Sequence, residues 1–164
     1  MKFYRFKAVF FATLLTLCVL DSCAGTKGKN VENDKKVEAF ITTMMNESQY
    51  EDYAFLKKHC TPKMLEFLAE CYDYDCESGD CLAGWMFRTE AQDNSEECRN
   101  GVEEVKNVGN GWYEYTFYDG GFKGITRLKI VFKGDLIMVD ELVKVYDQAH
   151  EEAVKYLDDT VGRE

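Results

Sequence analysis

The spacing of apolar residues changes its period once along this chain, and that change sets the class of fold it can adopt. Val37, Phe40, Ile41, Met44 and Met45 fall at i, i+3, i+4, i+7 and i+8, the core face of an amphipathic helix. Ser48 and Glu51 have capping-box spacing for a second helix through about Lys58. Thr61-Pro62 predicts a third start, since Thr can accept from an orphan amide and Pro is tolerated at the first helical position. Met64, Leu65, Leu68, Cys71 and Tyr72 would give that helix one apolar face. From about Val102 the period is two. Strands are predicted over Val102 to Val108, Trp112 to Tyr118, Phe122 to Phe132 and Leu136 to Val145. Gly109-Asn110-Gly111, Asp119-Gly120-Gly121 and Gly134-Asp135 supply the turns between them. Near Asp140-Glu141 the alternation slips, as a bulge or sheet bend would make it do. Ala149, Ala153, Val154 and Leu157 have helical spacing and predict a short C-terminal helix. Helices followed by a four-strand meander give an α+β fold, with N-terminal helices packed on a curved four-stranded antiparallel sheet.

Asp73 to Gly101 fits neither period. It is acidic, bears cysteines and is long for a connection in a compact domain, so it reads as a pinned loop. Glu77-Ser78-Gly79-Asp80 is a turn-like spacer that could bring Cys76 and Cys81 within bridging distance, which makes them the favoured disulfide. Cys60 and Cys71 would lie roughly 16 Å apart along one helix and make a poor pair. The cysteines lack the CxxC spacing and nearby histidines of a zinc site, so no metal is expected there. Asp73, Asp75, Glu77 and Asp80 alternate like an acidic calcium loop. Counting from Asp73, however, Ser78 and Gly84 stand where an EF-hand needs Gly and Glu.

The N-terminus carries an address. Lys2, Arg5 and Lys7 precede an almost unbroken apolar stretch, Ala8 to Leu20, too short to span a bilayer comfortably and followed by polar residues. A cleavable secretory signal over 1–22 is the reading. Leu20-Asp21-Ser22-Cys23 resembles the lipobox of bacterial lipoproteins, although Asp21 replaces the usual small or apolar residue; ordinary cleavage is the alternative. The resemblance implies lipidation at Cys23 and a periplasmic or outer-membrane lipoprotein of a Gram-negative bacterium. Residues 23–34 would form the tether, 35–158 a single domain and 159–164 a tail. Losing Lys2, Arg5, Lys7 and Asp21 takes the formal net charge from −10 to −12. Such a surface repels phosphate backbones and anionic headgroups, which argues against nucleic acid and leaves the lipid on Cys23 as the membrane contact. The cysteines that remain fit an oxidising compartment.

Over residues 35–147 the chain resembles the nuclear transport factor 2-like fold, the cystatin-like or ketosteroid-isomerase-like cone. It is similar in particular to small exported bacterial proteins of that fold known only as a domain of unknown function. Thr61-Pro62-Lys63-Met64-Leu65, Tyr72-Asp73-Tyr74-Asp75, Ala91-Gln92-Asp93 and the Leu136 to Leu142 strand carry the likeness, while the Cys76 to Cys98 segment departs from a minimal cone. The resemblance implies a pocket between sheet and helices, with Tyr72, Trp85, Tyr113, Tyr115 and Phe117 as lining candidates. The bland alternative is that these rings fill the interior. Asp93 and Asp140 are the carboxylates that an isomerase- or hydratase-like Asp-Tyr pocket would use. His59 and His150 read as cap or surface residues. With no legible catalytic set, the expectation is a non-enzymatic binding or interaction module of the cell envelope. It would take a small apolar ligand or another envelope protein, and no cofactor.

Overall fold

The computed structural model describes residues 30–77, 79, 81–91 and 98–153. By its contacts the chain divides after Lys36. In the leading unit the described residues are helical and Lys36 pairs with Glu32 at 2.8 Å. The segment read as an export signal, Cys23 and most of the expected tether lie outside the described residues.

In the second unit the helices come first. Helix α1, over 37–46 in this unit, buries Val37, Ile41, Met44 and Met45 along the stripe that their spacing predicts. The next helix starts later than the capping-box spacing implies. Ser48 has φ +52°, in the left-handed region, and makes no side-chain cap. An N-cap needs extended backbone to turn its oxygen onto the first amides. The chain instead makes a 3-10 turn, Gln49–Glu51, and begins helix α2 (Tyr53–His59) on Asp52. The Asp52 carboxylate accepts from the amides of Ala54 at 2.8 Å and Phe55 at 3.4 Å. Helix α3 (Pro62–Glu70) starts as its sequence predicts, with Pro62 in the first turn and the Thr61 hydroxyl accepting from the Met64 amide at 3.3 Å.

The four strands are β1 (Gly101–Gly109), β2 (Trp112–Asp119), β3 (Phe122–Lys133) and β4 (Leu136–Asp147). They form one antiparallel sheet in the order β1-β2-β3-β4. Lys129 pairs with Glu141 and Ile130 with Val139, which leaves Asp140 as the extra residue of a bulge. The slip in the sequence pattern marks this place. Tyr113 pairs with Leu128 and Tyr115 with Thr126, and all four are buried against the helices together with Phe117, Leu56, Met64 and Leu68. The opposite face is solvated. There Arg127 pairs with Glu114 at 2.8 Å, and Lys129 lies over the Trp112 ring. The α2–α3 junction covers part of the β4 edge, where the Thr61 amide donates to the Val139 carbonyl at 2.9 Å. The C-terminal helix is present over 148–153; Val154 and Leu157 lie outside the described residues.

Candidate functional site

Two glycines allow the closest approaches at one end of the sheet. Gly84 opens a second 3-10 turn, Gly84–Phe87, where a Cβ would run into the Tyr50 carbonyl oxygen; with none, this turn packs against the 49–51 turn. Gly124 of β3 faces Phe117, and a Cβ there would stand 2.5 Å from the Phe117 ring and 3.0 Å from the Thr89 methyl. The buried Tyr115 hydroxyl donates to the Phe87 carbonyl at 2.6 Å, pinning the end of the 3-10 turn to β2. Arg88 follows immediately.

Arg88 meets Asp119, the last residue of β2, in a forked pair: Nε donates to Oδ2 at 2.6 Å and Nη2 to Oδ1 at 2.9 Å. The Thr89 hydroxyl donates to Oδ2 of the same carboxylate at 3.0 Å. Nη1 approaches Glu51 at 3.7 Å, outside hydrogen-bond distance. Burial on its own would lower the Arg88 pKa, but the hydrogen bond and charge of Asp119 outweigh it and hold the guanidinium above its ordinary value. Burial also pushes the Tyr50 hydroxyl up, against the opposing effects of a Ser48 hydrogen bond and the Arg88 charge.

Beside this pair opens a cleft of about 380 Å³. Met45, Val102 and Phe117 give it apolar wall, and Asn46, Tyr50 and Arg88 give it polar groups. Its rims are tied across elements. Asn46 Oδ1 accepts from the Val102 amide at 2.9 Å, and Asn100 Oδ1 accepts from the Gly120 amide at 2.7 Å. Such a surface suits a small ligand with both apolar and hydrogen-bonding parts. A second hollow, about 350 Å³, lies on the solvated face near Val108, Trp112 and Val143. Its charged lining residue, Arg127, is already paired with Glu114 at 2.8 Å, so it offers less to a ligand.

The residues proposed from sequence are scattered relative to this cleft. Phe117 lines it. Tyr113 and Tyr115 are buried in the core, and burial drives the Tyr115 hydroxyl far above its ordinary pKa. Tyr72 and Trp85 belong to a separate cluster with Tyr74, with ring centroids 5.2 to 5.9 Å apart. Asp140 accepts from the Thr61 hydroxyl at 2.9 Å, bracing the start of α3 against the β4 bulge. Asp93 lies outside the described residues. Cys76 and Cys81 are joined, with Cα atoms 5.9 Å apart, while Cys60, Cys71 and Cys98 are free thiols. His59 packs against Phe55 and Phe40 with Nδ1 2.9 Å from the Ile137 carbonyl, and His150 bonds Glu90 at 2.8 Å. Among the described residues no group of three His, Cys, Asp or Glu side chains is placed to hold a metal ion. Sequence reasoning missed Tyr50, Arg88 and Asp119. One signal was available: continuing the inward series Tyr113, Tyr115, Phe117 by two residues puts Asp119 on the buried face.

No protein-family model matches the chain, and no curated protein matches it. A crystal structure of a protein of unknown function from Bacteroides thetaiotaomicron is similar at a TM-score of 0.44 and 15% identity, covering 71% of this chain and 98% of that one.

Proposed function

We propose that this chain is an exported, lipid-anchored cell-envelope protein with a nuclear transport factor 2-like cone, and that it binds a small ligand in the cleft beside Arg88 without transforming it. One observation carries the binding reading. The cleft is walled by elements pinned to one another, through the Arg88–Asp119 fork, the Asn46 and Asn100 ties and the Gly84 contact, so a ligand would meet a preformed surface. A base-catalysed alternative needs a carboxylate open to a substrate proton beside a Tyr hydroxyl. Asp119 has both oxygens committed to Arg88 and Thr89, and Asp140 is engaged by Thr61, which favours binding over isomerase- or hydratase-like chemistry. The Cys76–Cys81 bridge supports the exported reading, as does the signal-like pattern ending at Cys23.

A thermal-shift screen with small amphipathic compounds tests the cleft. A true ligand at roughly a hundred times its dissociation constant stabilises by about 2.7 kcal/mol, enough to raise Tm by several degrees. Val102→Phe, which fills the cleft from the β1 side, should keep the unliganded Tm within a few degrees and abolish the shift. Compounds that stabilise Val102→Phe equally, or none that stabilise the native chain, would remove the assignment. Mass spectrometry of the protein from a membrane fraction should find diacylglycerol on Cys23. An N-terminus beginning elsewhere without lipid would refute the anchor.

A further inference from the structure

We propose that the aromatic cluster of exposed Tyr74 with half-buried Tyr72 and Trp85 docks an arginine-bearing segment of another protein. The rings form one contiguous cluster: 5.2 Å between the centroids of Tyr72 and Trp85, 5.9 Å between Tyr72 and Tyr74, and 5.8 Å between Tyr74 and Trp85. Tyr74 meets both neighbours at steep angles, 73° and 79°, and keeps 71% of its surface in solvent. A single exposed ring needs no explanation, but an open ring in contact with two half-buried ones makes the kind of surface found at the centre of interfaces.

The charges that flank the tyrosines in sequence choose the occupant. Asp73, Asp75 and Glu77 are exposed and interleave with the aromatics in Tyr72-Asp73-Tyr74-Asp75-Cys76-Glu77. Among the described residues none of the three is held in an ion pair. Aromatic faces attract cations and stack on planar groups, and carboxylates accept forked hydrogen bonds. A guanidinium satisfies both demands, whereas an ammonium is a compact point charge that cannot stack flat. A neutral sugar would use the rings and leave the carboxylates idle; a metal ion would do the reverse. The surface is held in place as well. Cys76 is bonded to Cys81, the Ala83 amide donates to the Leu68 carbonyl at 2.9 Å, and Trp85 sits in the 84–87 turn, so little ordering remains to be done on docking.

The test uses the mature chain and three blocked pentapeptides, Gly-Arg-Gly-Arg-Gly and its Lys and all-Gly counterparts, followed by amide and indole NMR shifts at low salt. The Arg peptide should give saturable shifts at Tyr72, Tyr74 and Trp85, with the Lys peptide about threefold weaker and the all-Gly peptide silent. Tyr74→Ala removes a side chain that is mostly in water, so the fold should survive while affinity falls about fivefold. Asp73→Asn with Asp75→Asn should cost about tenfold, and added salt should weaken the native complex. Shifts that ignore Tyr74→Ala, equal binding of the all-Gly peptide, or saturation of these residues by chitotriose or calcium but not by the Arg peptide would each overturn the proposal. Binding in the cleft, read by thermal shift, should be unchanged in Tyr74→Ala, which keeps the two sites separable.

Discussion

Arg88 and Asp119 decide most of what happens at the cleft, and their energetics are asymmetric. Taking two charges out of water is costly, and the forked geometry with Thr89 recovers that cost only while every member is present. Arg88→Ala strands a carboxylate whose side chain is 10% exposed and should cost about 3 kcal/mol in urea unfolding. Arg88→Met combined with Asp119→Leu should recover most of that loss while emptying the cleft of its guanidinium. A double variant as unstable as the single one would mean that the pair stabilises in its own right. Cysteine reactivity gives an independent check on burial at this scale. Burial pushes the Cys60 thiol up to about 12, whereas Cys98 is exposed. In the native protein at mild alkaline pH a maleimide should label Cys98 promptly and reach Cys60 only after denaturant is added. Prompt labelling of Cys60 would contradict its burial beside the β4 edge.

At the scale of elements, the cleft exists because two 3-10 turns lie against each other. Gly84→Ala places a methyl against the Tyr50 carbonyl, which is backbone and cannot swing aside. Unfolding free energy should fall by about 2 kcal/mol or more, and ligand-induced stabilisation should fall with it. An Ala variant as stable as the native chain would show that the turns can part freely. The segment that carries Arg88 is also tied to the end of β4, through the Glu90 amide on Asp147 at 3.0 Å and the His150–Glu90 contact. The hydrogen bond to Glu90, then the charges of Glu90 and Asp147, raise the His150 pKa above 6.5, while Lys144 and slight desolvation oppose them. A raised folded-state pKa means the contribution is fully present below about pH 6.5 and fades as pH climbs through the folded value. The His150 midpoint by NMR should lie above 6.5 and move back toward it in Glu90→Gln, and the stability gap between the two proteins should narrow as pH rises. A native midpoint at or below 6.5 would contradict the contact.

The elements themselves were legible because each has a local cause. The stripe from Val37, the Thr61-Pro62 start, the glycine turns and the slip at Asp140 all read correctly. Ser48 did not, because capping spacing says nothing about backbone dihedral, and its left-handed φ hands the cap to Asp52. The cleft was harder still. Arg88 and Asp119 are 31 residues apart and meet only through the register of β2 and the packing of the 84–87 turn, neither of which has a local signature. Tyr113 and Tyr115 were visible as inward-facing rings, but whether such rings line a cavity or fill one depends on how closely the helices approach.

For the molecule as a whole, helices on one face of the sheet and charge on the other leave an acidic domain with a formed cleft at one end. The proposed docking surface is the Tyr72–Tyr74–Trp85 patch. The acidity disfavours anionic partners, the cleft suits a small amphipathic molecule, and the patch suits a cation. Amide-shift mapping with a compound that raises Tm tests binding in the cleft. Saturable shifts should be confined to Asn46, Tyr50, Arg88 and Asn100 through Val102, and all should be lost in Val102→Phe. Shifts centred instead on Trp112 and Val143, or surviving Val102→Phe unchanged, would contradict it.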